Sequence, residues 1–152
     1  MEKNVKINIP KGYEIDTENS TFDCIKFKKI QKTIIKWSEE HFAVEIKDQG
    51  VHFLISAQPS KVMSWNDAVR FYKDNKTWQL PTCEHLKLIA KHVAKINVLI
   101  KDNGGYEIQG WHWSADNYDE VCAWYVEMYN GETYSDTKDE YCYVRAVSVL
   151  NN

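Results

Sequence analysis

The sequence predicts an α+β domain in which helices and strands are segregated along the chain. Two helical patterns follow one another within residues 65–103, and segments with the period of two that is typical of strands lie before and after them. Because strands and helices do not alternate, this order excludes a doubly wound parallel sheet. The 152 residues, 43% of them hydrophobic, suffice for one core that needs neither a metal nor a disulfide.

A short β leader opens the chain. Residues 4–9 alternate polar and apolar side chains, and the segment CIKFKKI at 24–30 predicts a second strand. We therefore assign residues 1–30 to an N-terminal leader element and residues 31–152 to the main domain.

A β-hairpin and a first helix follow. Residues 42–47 and 51–57 predict two strands joined by a turn that ends at Gly50. Ser64 and Asp67 have the S-x-x-D spacing of a capping box, so a helix is expected over about 65–74.

The second helix has the clearest pattern in the sequence. Thr82 is the expected N-cap, Glu84 lies in the first turn, and Gly104-Gly105 ends the helix. Its predicted buried face has the helical spacing of three and four residues: Leu86, Ile89, Val93, Ile96 and Ile100.

Strands are predicted again after the second helix, at 106–114, 121–129, 132–135 and 141–149. Asn130-Gly131 lies between two of them and predicts a two-residue type I′ hairpin turn, in which both residues have positive φ. His112, between Trp111 and Trp113, is expected at the surface of a strand whose other face is in the core.

Charge is distributed unevenly. Residues 102–152 carry ten acidic and two basic side chains, whereas residues 50–101 carry eight basic and three acidic ones. This distribution argues against a nucleic-acid-binding protein, although Lys87, Lys91 and Lys95 form a basic stripe on the second helix. No apolar run approaches the roughly 18 residues of a membrane span, and no secretory signal is visible, so we expect a cytoplasmic or virion-associated protein.

Five ordered elements between Met63 and Val147 resemble a known family. They are Trp65 with Ala68, the segment Trp78-Gln79-Leu80-Pro81-Thr82, Trp113-Ser114, Asn130-Gly131, and Tyr143-Val144-Arg145. In this order they are similar to the bacterial C-type-lectin-like domain known as the Lcl C-terminal domain, named after a collagen-like adhesin. The leader resembles segments that open many small proteins of gut bacteria and their phages.

The resemblance implies a C-type-lectin-like fold with two helices packed on antiparallel strands. It also implies that Trp65, Trp78, Pro81, Trp113 and Arg145 hold the helices against the sheet. Gln79 stands where the family usually has Arg, and Ala146 and Ser148 stand where Cys and a second Arg often follow, so a disulfide at that position does not carry over.

Metal binding and catalysis have weak support in the sequence. The calcium triplets of true C-type lectins are missing, and the oxygen-rich loop 116–120 is also what an ordinary Asp/Asn turn looks like. Cys83, His85 and His92 share a helix without the spacing of a zinc site. We predict no cofactor, no metal and no catalytic residue.

The four cysteines, none of them in a CxxC motif, are expected to be reduced and mostly buried. Cys122 and Cys142, on two late strands, are the one pair that could form a bridge.

The function that we expect is non-catalytic, calcium-independent recognition of a glycan or protein ligand through loops of the last third. Tyrosines would stack on the ligand, and Asp and Asn side chains would accept or donate hydrogen bonds. The predicted ligand-binding residues are Asp116, Asn117, Tyr118, Asp119, Tyr134 and Asp136.

Two other classes stay open. A structural or phage-virion component, such as part of a tail or fibre, would form a stable homo-oligomer with an apolar interface of order 1,000 Å². An enzyme would have a deep pocket holding a titratable group with a perturbed pKa.

Overall fold

The computed structural model describes residues 13–15, 27–29, 34–36 and 41–150. The chain divides into two compact units, Met1–Lys32 and Thr33–Asn152.

In the first unit, strand β1 (Tyr13–Ile15) pairs antiparallel with β2 (Phe27–Lys29). β2 lies within the strand predicted at 24–30. The strand predicted at 4–9 and the predicted boundary after residue 30 lie outside the described residues.

The described part of the second unit contains two helices and nine strands, which confirms the α+β prediction. In chain order they are β3 (Ile34–Lys36), β4 (Phe42–Asp48), β5 (Val51–Ser56), β6 (Lys61–Ser64), α1 (Trp65–Tyr72), α2 (Cys83–Asp102), β7 (Trp111–Asn117), β8 (Cys122–Glu127), β9 (Thr133–Thr137), β10 (Tyr141–Val144) and β11 (Val147–Val149).

These strands form two sheets. The five-stranded sheet has the order β6-β10-β7-β8-β9, and the four-stranded sheet has the order β11-β5-β4-β3. All neighbours pair antiparallel except β10 and β7, which pair parallel. The expectation of purely antiparallel strands was therefore wrong at this one pair.

The two sheets are joined by a chain segment that the sequence predicted as one strand. Residues 141–149 form β10 in the five-stranded sheet and β11 in the four-stranded sheet, with Arg145 and Ala146 between them. Arg145 is buried, and its guanidinium donates to the carbonyl oxygens of Ser56, Tyr106 and Glu107. A buried guanidinium needs such acceptors, so it fixes the crossing between the sheets.

The same hydrogen bonds explain why the strand predicted from residue 106 begins only at Trp111. The carbonyl groups of Tyr106 and Glu107 accept from Arg145, and Gly110 has a φ of 74°. This backbone conformation suits glycine and not a regular strand.

Both helices begin at their predicted N-caps. The Ser64 hydroxyl accepts from the backbone N–H of Asp67, but the Asp67 carboxylate accepts from Arg70 and does not return to the cap. At α2 the Thr82 hydroxyl accepts from the N–H of His85, and His85 Nδ1 accepts from the N–H of Thr82. The full capping box is therefore at α2, with histidine in the position more often taken by Glu.

The turn at Asn130-Gly131 is not of type I′. Gly131 has a φ of 73°, but Asn130 does not have a positive φ, and the N–H of Gly131 donates to the carbonyl of Glu127. The hairpin itself forms, with a longer loop than predicted. Positive φ at two successive residues occurs instead at Gln49 and Gly50, between β4 and β5.

The five-stranded sheet lies between two apolar clusters. One cluster packs α2 against β4, β5 and the Val126 side of β8, and the other packs α1 around Trp113 and Ala123. Since Ala123 and Val126 are an odd number of residues apart on β8, the clusters lie on opposite faces of that sheet. Four of the five residues predicted for the buried face of α2 are buried, and Val93 is partly so.

Candidate recognition surface

Three aromatic side chains form a row on the α1 face of the five-stranded sheet, and we call Trp111, Tyr125 and Tyr134 the aromatic strip. The rings of Trp111 and Tyr125 are 6.1 Å apart between centroids, and those of Tyr125 and Tyr134 stack at 5.7 Å. Trp111 is 55% exposed and Tyr134 is 40% exposed. The strip therefore presents an apolar surface to solvent where α1 no longer covers the sheet.

The strand register explains this row. Tyr125 is directly opposite both Trp113 and Tyr134, and Trp111 lies two residues before Trp113 on β7. Residues two apart on a strand share a face. The buried Trp113 anchors the row because its ring meets Tyr125 edge-on at 5.7 Å and its Nε1 donates to the carbonyl of Met63.

Three carboxylates share this face with the strip, and we call Glu127, Glu132 and Asp136 the acidic rim. Glu127 is opposite Trp111 in the register, and its N–H donates to the carbonyl oxygen of Glu132 across the hairpin. The Tyr134 hydroxyl donates to Glu132 at 2.5 Å, which raises the pKa of the phenol. The exposed apolar surface is thus bordered by negative charge.

The structure splits the predicted ligand-binding residues between two faces. Asn117 is opposite Ala123, which is opposite Asp136, so both polar residues lie on the strip face together with Tyr134. Tyr118, 52% exposed, contacts the Trp124 ring edge-on at 4.6 Å. Trp124 neighbours Tyr125 on β8, so Tyr118 belongs to the opposite face.

The two remaining predicted residues are engaged in local structure. Oδ2 of Asp116 accepts from the N–H of Cys83 at 2.6 Å, so this carboxylate caps α2 beside Thr82. Oδ1 of Asp119 accepts from the N–H groups of Cys122 and Val121, and these bonds lower the pKa of the carboxyl. These two hydrogen bonds form an Asx turn, which stabilises the 116–120 loop.

Sequence reasoning missed the strip because it exchanged the two sides of β7. His112, predicted at the surface, is fully buried, whereas its neighbour Trp111 is exposed. The signal that could have corrected this was the alternation, within β7, of Trp111 and Trp113 with the polar side chains His112 and Ser114. In this protein the polar side chains face inward and find partners there: His112 bonds to the Ser60 hydroxyl, and the Ser114 hydroxyl donates to the carbonyl of Trp124.

His112 and Ser60 are hydrogen-bonded, a pairing that also occurs at serine nucleophiles. His112 Nε2 lies 3.0 Å from Ser60 Oγ, which also accepts from Arg145 Nε at 2.9 Å. Burial, together with the nearby Arg145 charge, lowers the pKa of His112 to about 3. This imidazole does not take up a proton near neutral pH, which is the opposite of what a general base must do. The His112 ring also stacks on that of Tyr143 in β10, with 5.5 Å between the ring centroids.

The described cysteines are unbridged. Cys83, Cys122 and Cys142 are free thiols, and β7 separates β8, which carries Cys122, from β10, which carries Cys142. Burial raises the pKa of Cys142 to about 11 and also raises that of Cys83. Cys24 lies outside the described residues. In the described ranges no three His, Cys, Asp or Glu side chains come together as a metal site.

The basic stripe of α2 borders a shallow cavity. Lys87 and Lys91 line it together with Gln49, Glu84 and Leu88, and its volume is about 380 Å³. Lys91 is already paired with Asp48 at 2.7 Å, a contact that, with His92, lowers the pKa of Asp48 to about 2. The cavity carries both signs of charge and lies apart from the strip. Neither α1 nor α2 is long and apolar enough to cross a membrane.

No protein-family model matches this sequence, and no curated protein matches it at a significant level.

Proposed function

We propose that this chain is a non-catalytic, calcium-independent recognition module with a C-type-lectin-like α+β fold. It binds a glycan or protein ligand on the strip face of the five-stranded sheet. The observation that carries the proposal is the aromatic strip, in which Trp111 and Tyr134 expose ring surface beside the carboxylates of Glu127 and Glu132.

The packing of the family-like residues supports the fold assignment. Trp65 Nε1 donates to the carbonyl of Ser114, Trp113 is fully buried, and Arg145 joins the two sheets. These are the positions that the resemblance assigns to holding helices on the sheet. The backbone of Gln79 pairs with that of Val147 in both directions, which ties the segment before α2 to β11.

The strip suits recognition because it offers two kinds of contact at once. An exposed aromatic face stacks on the apolar face of a sugar ring or anchors an apolar side chain. Carboxylates at the border accept hydrogen bonds from hydroxyl or amide groups. These contacts need no bound metal, and therefore the proposed binding does not require calcium.

The test is a glycan array probed with the purified protein, once with calcium and once with a chelator. We expect the same binding in both conditions and its loss in Trp111→Ala and Tyr134→Ala. Tyr141→Ala is the matched control, because Tyr141 is 67% exposed and lies off the strip. Melting temperatures of all variants should stay within a few degrees of the parent, since none of the three side chains belongs to either buried apolar cluster.

Three results would change the proposal. Binding lost in chelator would refute calcium independence. Loss of binding in Tyr118→Ala, with strip variants unaffected, would move the site to the opposite face, where Tyr118 packs on Trp124. If no glycan on the array binds and the protein forms a stable oligomer, the structural or virion-assembly alternative would be favoured.

A further inference from the structure

We infer that the ligand of the strip face is an extended segment of a partner protein with lysine or arginine at alternate positions, docked along β9. The inference rests on the proposed function and narrows its ligand to one class. Three features carry it: the position of β9, the charge around the strip, and the spacing of side chains along the strand.

The first feature is that β9 is an edge strand. It stands at the end of the five-strand order and pairs with β8 on one side. Tyr134, Ser135 and Asp136 are successive residues that point to both faces, and all three are exposed. An exposed edge presents unpaired backbone groups to which an extended peptide can add as a further strand.

The second feature is negative charge that forms no ion pair within the described part of the chain. Glu127 and Glu132 are opposite each other in the hairpin, an arrangement of like charges that is unfavourable. The ion pairs among the described residues involve neither of them, nor Asp136. A cation placed between the two glutamates would relieve their repulsion.

The cations of the last third of the chain are used elsewhere. Residues 102–152 contain two basic side chains, Lys138 and Arg145. Lys138 Nζ donates to the carbonyls of Asp119 and Glu120, and Arg145 is buried. The acidic rim therefore favours a cationic ligand supplied from outside this region.

The third feature is spacing. Glu132, Tyr134 and Asp136 occupy alternate positions of the β9 hairpin arm and share one face with Trp111. A peptide paired with β9 would project every second side chain over this face, at intervals of about 7 Å. A lysine or arginine there meets a carboxylate and the face of an aromatic ring together, and aromatic faces attract cations.

The test uses two labelled seven-residue peptides of identical composition. In one, three lysines alternate with four threonines, and in the other the three lysines form a block. Fluorescence anisotropy at low salt should show tighter binding of the alternating peptide. Tyr134→Ala, which removes the strip ring carried by β9 itself, should weaken that binding about fivefold, the size expected for loss of an exposed cation–π contact.

Charge is tested with isosteric variants. Glu127→Gln keeps the oxygen that accepts from the N–H of Tyr129 and removes the charge. This variant should bind the alternating peptide more weakly. Glu140 is an exposed acid outside the rim, so Glu140→Gln should not change the affinity. Equal affinity for the two peptides, or equal effects of the two variants, would show general electrostatic attraction and would overturn the inference.

The array separates this inference from the proposed function. Strip-dependent glycan binding with no peptide binding would leave the recognition module standing and would refute a basic peptide as its ligand. If the strip variants affect neither glycan binding nor peptide binding, both proposals are refuted.

Discussion

Because His112 stays neutral in the native protein but is protonated in the unfolded chain, we expect the stability of the second unit to fall in mild acid. The side chain is 0% exposed, and burial with the Arg145 charge beside it lowers its pKa to about 3. In the unfolded chain the same imidazole titrates near its ordinary value of about 6.5. As the pH falls below this value, the unfolded chain takes up a proton that the native protein does not bind, so the free energy of the unfolded state falls relative to that of the native state.

The sign and the size follow from this difference. The folded-state pKa is lowered, and therefore the stability is fully present above about pH 6.5 and is lost as the pH falls toward the folded value. Between pH 7 and pH 5 the loss from this one group amounts to about 2 kcal/mol. A folded-state pKa anywhere well below 5 gives the same figure.

The assay is urea unfolding of the wild type and His112→Gln at pH 7, 6 and 5. Glutamine can still accept from the Ser60 hydroxyl but does not titrate. The wild type should lose about 2 kcal/mol more free energy of unfolding over this range than the variant. Contributions from other groups, such as Asp48 and Asp119 with their lowered pKa values, are common to both proteins and cancel.

Parallel pH profiles of the two proteins would refute the reasoning. If the variant does not fold, an NMR titration of the wild type decides the question, because the His112 ring signals should show no protonation down to pH 5. A midpoint near 6.5 in that titration would contradict the buried, neutral imidazole.

Three further substitutions test the packing around the candidate surface. Asp116→Ala removes the second cap of α2 and should lower the free energy of unfolding by about 1 kcal/mol, measured by urea denaturation. Gly105→Ala should cost about 1–3 kcal/mol in the same assay, because the added Cβ would lie 2.8 Å from both Ile100 Cγ2 and Phe42 Cζ. Arg145→Met leaves three backbone carbonyls without their donor and should cost at least about 3 kcal/mol, seen as a lower melting temperature by circular dichroism. An unchanged stability in any of these variants would contradict the corresponding contact.

Local sequence patterns predicted those elements that depend on local interactions. α2 begins after Thr82 and ends just before Gly104, as its cap and its glycine indicated, and the β4–β5 hairpin lies where the alternating residues predicted it. In both cases the decisive contacts join residues close in the chain.

Elements that depend on distant partners were missed. β6 is a four-residue strand whose partner, β10, lies more than seventy residues later in the chain, so its own residues do not predict it. The break of the 141–149 segment at Arg145 follows from carbonyl groups near residues 56 and 106.

The candidate surface was predicted in part for the same reason. Tyr134 and Asp136 were identified from composition and expected exposure, and they do lie on the strip face. Trp111 and Tyr125 were not, because their exposure depends on how far α1 extends over the sheet and on which side of β7 His112 occupies.

The division of residues 141–149 between the two sheets has a consequence for synthesis. β10 is inserted between β6 and β7, and β11 completes the other sheet, so neither sheet can close before these nine residues leave the ribosome. The pairing of β10 with β6 also spans most of the second unit, and such long-range closure is slow. A nascent chain that ends before Tyr141 therefore lacks both the strand that joins β6 to β7 and the edge strand beside β5, and unpaired strand edges of this kind favour aggregation.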